Sequence, residues 1–177
     1  MRKGECMKKN IIKTCVFGVL ALCVMTVIFL FSHQTGSSSS QASNRVGKIL
    51  LSILGITVPD GQSPSSVVIF WELTVRSLAH IFLFAVLGLI TFLVFNSAFA
   101  IRKPKSRRSV MSAAMCALLV SLLYAVSDEF HQSFVSGRTA SFRDVLIDAC
   151  GFVFAVAIGF AVTWFTLPSE GEKSATE

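Results

Sequence analysis

Residues 78–99 read LAHIFLFAVLGLITFLVFNSAF, an apolar run whose only ionisable side chain is His80. At about 1.5 Å of rise per residue, a helix of this length crosses the hydrocarbon core of a bilayer. Three further segments are long and apolar enough to do the same: Ile11–Phe31, Val110–Val126 and Val145–Leu167. Because backbone groups in lipid must be hydrogen-bonded within a helix or a closed barrel, these segments predict an all-α integral membrane protein with four main transmembrane helices.

The composition of the chain agrees with this prediction. Its 177 residues suffice for one domain, 53% of them are hydrophobic, only 15% are charged, and sixteen are phenylalanine. The mean hydropathy of +0.69 groups the chain with membrane proteins rather than with soluble ones. No stretch between the spans shows the apolar–polar alternation of a β-strand. We therefore expect a single helical membrane domain over residues 11–167.

The first apolar segment has two alternative interpretations as a targeting signal. A secretory signal is one, because the basic stretch 1–10 precedes the apolar run. That run is longer than the usual apolar region of ~7–15 residues, and no small-x-small cleavage site closes it. A lipoprotein signal at Cys23 is the other, but Leu22 occupies the position where a small residue is needed. We expect an uncleaved first span.

Lysine and arginine are concentrated on one side of the predicted spans, in residues 1–10 and in the short loop 102–108. The positive-inside rule assigns such flanks to the cytoplasm. The sequence therefore predicts a multi-pass protein of the cell membrane with a cytoplasmic basic N-terminus at 1–10 and a polar cytoplasmic tail at 168–177. These patches explain the net charge of +6 without a nucleic-acid partner, because they set topology and contact anionic lipid.

The cysteines predict neither disulfides nor a thiolate metal site. No Cys-x-x-Cys pair is present, and Cys6 lies on the predicted cytoplasmic side. The other four lie in or at the end of predicted spans, where a free cysteine behaves as a small hydrophobe.

The first outer loop divides into two parts. Residues Gly36–Ser43 are rich in serine and predict an irregular connection. In Arg45–Ile56, apolar residues recur at helical spacing, which predicts a short amphipathic helix lying in the membrane interface. Residues 59–65 contain two prolines and end this helix.

The polar residues of the membrane domain collect at the outward ends of the predicted spans. Four antiparallel helices bring those ends into a single mouth. Ionisable groups at the edge of a bilayer cost several kcal/mol unless they are paired or solvated, so this concentration points to a function. They are Ser32, His33 and Gln34 after the first span, Glu72, Arg76 and His80 at the second, Asp128, Glu129, His131 and Gln132 after the third, and Asp144 and Asp148 at the fourth.

Arg76 and His80 are four positions apart and share a helix face, and Asp144 and Asp148 do the same. Each pair also has a purely structural interpretation. His80 would be a core histidine bonded to a backbone carbonyl, and Asp148 would form an ion pair with Arg76 or Arg138.

The end of the third span carries the densest polar cluster. If the helix continues through it, Asp128, His131 and Gln132 share a face while Glu129 points elsewhere. The residues that follow contain Gly137 and predict a tight turn. We expect the two arginines of that turn to pair with some of the carboxylates.

Two kinds of site fit these residue types. One is a divalent-metal site, for which carboxylate and imidazole ligands are offered by Asp128, Glu129, His131, Asp144 and Asp148. A histidine near carboxylates also suits general acid–base catalysis, for which Asp128, Glu129 and His131 are the candidates. The cluster equally suits a binding mouth in which arginines contact phosphate or carboxylate groups. No His-Glu-x-x-His, Gly-x-Ser-x-Gly or phosphate-binding glycine loop is present, so the spacing alone does not decide.

The long polar motif resembles the signature of the VanZ-like family of small bacterial membrane proteins. Residues 127–151 read SDEFHQSFVSGRTASFRDVLIDACG, similar to the family's S-D-E-x-H-Q-x-F-x-x-G-R…D-x-x-x-N-x-x-G. Phe31–Gln34 and Arg76-x-x-x-His80 agree with two shorter family blocks. Asp148 stands where the family often has asparagine, and the added charge favours an ion pair.

The resemblance implies a multi-pass protein of the bacterial plasma membrane. The family's namesake is associated with low-level resistance to the glycopeptide teicoplanin. The resemblance carries no catalytic residue over to this chain. Its motif implies site residues at His80, Asp128, Glu129, His131, Gln132, Arg138 and Asp144.

We therefore predict an outward-facing mouth that acts on or with a lipid, a lipid-linked envelope precursor or a lipoglycopeptide, with membrane lipids as partners. The alternative is a membrane-embedded metal- or acid/base-dependent hydrolase or transferase acting on a phospholipid or polyprenyl-linked substrate. A transporter is less favoured, because no span has a charged residue near its middle. The sequence assigns no cofactor, metal or oligomeric state. The candidate catalytic residues are Asp128, Glu129 and His131, and the candidate binding residues are His80, Arg76, Gln132, Arg138, Asp144, Asp148, Ser32 and Gln34.

Overall fold

The computed structural model describes residues 2–53, 66–101 and 105–167. Over these residues it is all-helical, and four of its helices are long and apolar enough to cross a membrane. The prediction of an all-α protein with four main spans and one further helix between the first two spans is confirmed. The predicted tail at 168–177 lies outside the described residues. The helices are α1 (Arg2–Ser32), α2 (Gly36–Ile53), α3 (Ser66–Phe99), α4 (Arg107–Gln132) and α5 (Phe142–Phe165).

Helix α3 lies at the centre of the bundle and packs against each of the other four helices. Helix α1 lies at the periphery, and apolar side chains such as Val19, Leu22 and Leu30 point away from the protein. In a bilayer these side chains face lipid tails, which are as apolar as the protein interior. The inner side of α1 packs on the core through Ile28, and polar contacts at its end fix it further.

Helices α3 and α5 pack closely against each other. A Cβ atom on Gly151 would collide with the carbonyl oxygen of Ile81, and one on Gly88 would lie 2.7 Å from the Cβ of Phe152. Small residues are the usual means by which membrane helices approach this closely. The contact matters for the site because Gly151 lies one turn beyond Asp148, and it brings the polar starts of α3 and α5 together.

Helix α2 begins earlier than the serine-rich sequence predicted. The irregular connection expected over Gly36–Ser43 is wrong, because the helix starts at Gly36. The Thr35 hydroxyl accepts a hydrogen bond from the Ser38 backbone N–H at 3.4 Å, which caps the first turn. The backbone N–H of Gly36 donates to the Ser136 carbonyl at 3.1 Å, so the helix start is also fixed from outside.

A short turn joins α4 to α5 at the same end of the bundle. Gly137 has φ of +75°, a conformation that glycine adopts without the cost a side chain brings. It reverses the chain so that Arg138 returns over the ends of α1 and α4, and α5 begins soon after with Ser141 as its N-cap residue. The turn expected around Gly137 is present.

Candidate functional site

A buried polar network lies where the end of α1, the end of α4 and the turn after α4 meet. Its central acceptor is the Asp128 carboxylate. The Asp128 Oδ2 atom accepts hydrogen bonds from the Ser32 hydroxyl at 2.8 Å and from the Gln132 Nε2 at 2.9 Å. All three side chains are at most 3% exposed. Buried polar groups are stable only when they have hydrogen-bond partners. Here Ser32 and Gln132 supply the donors that the Asp128 carboxylate needs.

Two arginines converge on the other end of the Gln132 amide. Its Oε1 atom accepts from Arg138 Nη1 at 2.8 Å and from Arg76 Nη2 at 3.3 Å. Arg138 also donates from Nε to the Gln34 carbonyl at 2.9 Å and from Nη2 to the Phe31 carbonyl at 3.1 Å. These contacts go to an amide and to carbonyls at the end of α1, rather than to the carboxylates expected from the sequence. Carbonyls at the end of a helix lack intrahelical donors, and Arg138 donates to one in the last turn of α1 and to one just beyond it.

The two guanidinium groups repel each other. Burial is the main cause that lowers the pKa of Arg138, the positive charge of Arg76 lowers it further, and nearby carboxylates act in the opposite direction. Arginine stays charged under any physiological condition. Arg76 and Arg138 therefore place two permanent positive charges close together at this end of the bundle.

The Asp148 carboxylate pairs with His80 rather than with Arg76 or Arg138, the partners considered from sequence. His80 Nδ1 lies 3.3 Å from Asp148 Oδ1, and Asp148 is 2% exposed. The two atoms are within ion-pair distance but not in hydrogen-bonding geometry, and Oδ1 is a buried oxygen without a hydrogen-bond partner. The helix contact at Gly151 is what brings these two side chains together.

A third residue, Asp128, completes a cluster with this pair. One ligand-type atom each of His80, Asp128 and Asp148 lies within 4.8 Å of the others. A cavity of about 70 Å³ adjoins the cluster at His80 and Asp148, and its lining also includes Arg76, Gln132 and Asp144. An imidazole and two carboxylates next to a small cavity are suited to hold a cation or to move a proton.

A second cavity, of about 180 Å³, lies between α1, α2 and α3 and is mostly apolar. Apolar side chains such as Ile28, Val75 and Leu83 line it, and it is bordered by Arg76 and Arg138. The two cavities share Arg76 and His80 in their linings. The Arg76 guanidinium therefore lies between a polar cavity and an apolar one.

Comparison with known proteins identifies the family. A family model described as VanZ/LLP1 matches residues 17–174. The chain belongs to the VanZ-like family. It matches no protein with a curated function and no solved structure. Family membership supports a VanZ-like membrane protein and assigns no chemical activity to it.

The VanZ-like motif of α4 divides between three places in the structure. Asp128 and Gln132 enter the network with Ser32 and the arginines. His131 does not share their environment, although periodicity placed it on their face: its ring lies 4.6 Å from that of Phe29 and 5.5 Å from that of His33. Its Nε2 is 3.3 Å from His33 Nδ1. A candidate metal or acid–base role shared by Asp128 and His131 has no support in this arrangement.

Glu129 and Gln34 have backbone contacts that the sequence did not indicate. The Glu129 Oε1 atom accepts the backbone N–H of Ser141 at 2.5 Å, and Glu129 is 6% exposed. The Gln34 side chain is exposed, and Arg138 binds the backbone carbonyl of this residue instead. Asp144 lines the polar cavity with Asp148, as their shared face predicted. The apolar lining at Ile28, Val75 and Leu83 was missed, because such residues read the same in sequence whether they face a cavity or lipid.

Proposed function

We propose that this VanZ-like protein binds the anionic headgroup of a membrane lipid or lipid-linked envelope precursor at an outward-facing mouth in the bacterial plasma membrane. One observation carries the proposal. Arg76 and Arg138 converge on the Gln132 Oε1 atom at the border of an apolar cavity of about 180 Å³. A phosphate on the arginines and a hydrocarbon chain in the cavity would satisfy both surfaces at once.

Charge supports an anion as the ligand. Arg138 donates three described hydrogen bonds from a guanidinium that has five N–H groups, so it retains donors for a ligand. Two guanidinium groups that share one acceptor repel each other, and an anion between them would relieve that repulsion. Guanidinium pairs bind phosphate with directional, charge-assisted hydrogen bonds.

The apolar cavity supports a ligand with a chain. A lipid chain already lies in hydrocarbon, so moving it into the cavity gives little hydrophobic free energy. The cavity therefore acts by selecting and orienting a chain whose headgroup the arginines hold. This combination distinguishes a lipid from a free phosphate ion.

The proposal is tested with the full-length protein in detergent and a short-chain phosphatidate as probe. We expect Arg76→Gln to weaken binding at least about tenfold, because one charge-assisted contact is lost. Arg143→Gln is the matched control, since Arg143 is an exposed arginine at the same end of the bundle. Diacylglycerol of the same chain length tests the need for the anion. Equal binding of phosphatidate by both variants, or equal binding of the two lipids, would contradict the proposal.

The proposal extends to glycopeptide resistance, which the family's namesake suggests. A teicoplanin-type antibiotic carries an acyl chain, and a protein that binds such chains at the membrane surface would interfere with its anchoring. We expect expression of the protein to raise the inhibitory concentration of teicoplanin, and Arg76→Gln to reverse the increase. An unchanged inhibitory concentration on expression would remove this part of the proposal.

A second candidate function rests on the His80–Asp148 pair. An imidazole 3.3 Å from a buried carboxylate and next to a cavity could act as a general base, and Arg76 beside it would bind a phosphate. This would be a membrane-embedded hydrolase or transferase acting on a phospholipid or polyprenyl-linked substrate. Release of phosphate or headgroup by the purified protein, lost in His80→Asn, would support it. A protein that binds phosphatidate and releases no product under any pH tested would rule it out.

A further inference from the structure

We propose that His80, Asp128 and Asp148 form a binding site for a divalent transition-metal cation, with Zn²⁺ as the best fit to the ligand types. This site goes beyond the proposed lipid contact, which uses the guanidinium groups of Arg76 and Arg138. Three protein ligands with an opening toward a cavity are the arrangement of zinc sites that keep a position for water or substrate.

The geometry of the cluster fits a small ion. Two ligands at ~2.0–2.1 Å from a tetrahedral ion lie about 3.3–3.4 Å apart. His80 Nδ1 and Asp148 Oδ1 are separated by 3.3 Å and so already have the spacing of two such ligands. The remaining ligand-atom separations are no more than 4.8 Å, and binding would draw these atoms inward by about 1 Å.

Burial gives an independent reason for a cation. Asp148 is 2% exposed and its Oδ1 atom has no hydrogen-bond partner, which is rare for a buried carboxylate oxygen. Asp128, a second carboxylate, is 3% exposed in the same cluster. The two nearby guanidinium groups bond the Gln132 amide, and neither carboxylate accepts a described hydrogen bond from them. Two buried carboxylates at this distance repel each other, and a divalent cation bound between them would compensate both charges directly.

The surroundings of Asp128 resemble the outer shell of a metal site. Ser32 and Gln132 both donate to Oδ2, which fixes the orientation of the carboxylate. Such outer hydrogen bonds position ligands and sustain affinity. The adjoining cavity of about 70 Å³ has room for water on an open coordination position, since a water occupies about 30 Å³ in the liquid. Imidazole with carboxylates favours Zn²⁺ over Mg²⁺ or Ca²⁺.

The experiment uses full-length protein purified in detergent, stripped with a chelator and titrated with Zn²⁺ alone against a competing chromophoric chelator. We expect one Zn²⁺ per chain in the natural protein. Asp148→Asn keeps the shape of the side chain and should weaken binding by at least about tenfold. Glu5→Gln is the control: it also replaces one carboxylate by an amide, but at an exposed position near the start of α1, away from the cluster, and should leave the affinity nearly unchanged.

A second measurement identifies the ligands directly in the natural protein, so the test does not depend on the folding of a variant. X-ray absorption of the zinc-loaded protein should show a shell of nitrogen and oxygen with an imidazole contribution and without sulfur. A sulfur shell would assign the metal to cysteines and overturn the proposal. Zinc content no higher than a detergent blank, or equal losses in the two variants, would overturn it too and leave His80–Asp148 as an ion pair.

Discussion

Gln132 and Arg138 are joined by a hydrogen bond of 2.8 Å between Oε1 and Nη1. The bond links the last residue of α4 to the turn that follows it, and the other contacts of Arg138 reach the end of α1. Three separate parts of the chain are therefore held by one amide and one guanidinium. These contacts tie the end of α1 to α4 and to the turn that follows it.

Gln132→Leu tests this dependence. The leucine removes an acceptor for two guanidinium groups and a donor to Asp128, and buried groups left unsatisfied cost about 1–3 kcal/mol each. We expect a loss of at least about 2 kcal/mol in the free energy of unfolding. Unfolding in mixed micelles measures it. Gln41→Leu is the control, since Gln41 is exposed on α2. Equal stability of the two variants would contradict a structural role for the network.

The spans were predictable because the bilayer imposes a length and a composition on each of them. Residues 78–99 needed nothing beyond their own sequence to be read as a helix. The start of α2 was not predictable in this way. Its first turn depends on the Thr35 cap and on a hydrogen bond from Gly36 to Ser136, a residue far away in sequence. Composition alone predicted an irregular segment there.

The site was predictable as a location and less so as a set of partners. Spacing by four residues placed Arg76 with His80 and Asp144 with Asp148, and each pair lines the polar cavity. It did not separate His131 from Asp128, because a helix face is wider than the surface that one neighbouring helix covers. Nor did it give the partner of Asp148, which depends on the approach of α3 to α5.

Gly151→Ala is expected to destabilise the protein although alanine favours helix. Alanine is better than glycine in a helix by about 1 kcal/mol. At position 151 the added methyl collides with the Ile81 carbonyl, and overpacking of this kind costs about 1–3 kcal/mol. Gly18→Ala is the matched control, because a Cβ there meets nothing within 4 Å. Thermal unfolding in detergent should rank Gly18→Ala above the natural protein and Gly151→Ala below it. The reverse order would show that α3 and α5 are not closely packed.

The orientation of the mouth is tested by cysteine labelling in a cysteine-free background. Gln34→Cys and Thr139→Cys lie at the polar end of the bundle, and both positions are exposed. Gln34→Cys leaves the backbone carbonyl that Arg138 binds in place. We expect a membrane-impermeant maleimide to label both from outside intact cells. Lys105→Cys, exposed in the loop at the opposite end, should react only after permeabilisation. Labelling at 105 together with protection at 34 and 139 would place the mouth in the cytoplasm.

Glu129 is expected to stabilise the start of α5 from a neighbouring helix. Ser141 is the N-cap residue of α5 but makes no side-chain cap hydrogen bond, and the Glu129 carboxylate accepts its backbone N–H instead. A negative charge at a helix N-terminus is favourable by about 0.3–1 kcal/mol, and the hydrogen bond adds to it. Glu129→Gln keeps an acceptor and loses the charge, so it should cost less than about 1 kcal/mol. Glu129→Ala loses both and should cost about 1–3 kcal/mol, because the Ser141 N–H loses its acceptor.

Hydrogen exchange at residues 141–145 should increase in the same order. Glu5→Gln makes the same charge change at an exposed site and should have no effect. Equal exchange in all three variants would mean that α5 begins without help from α4.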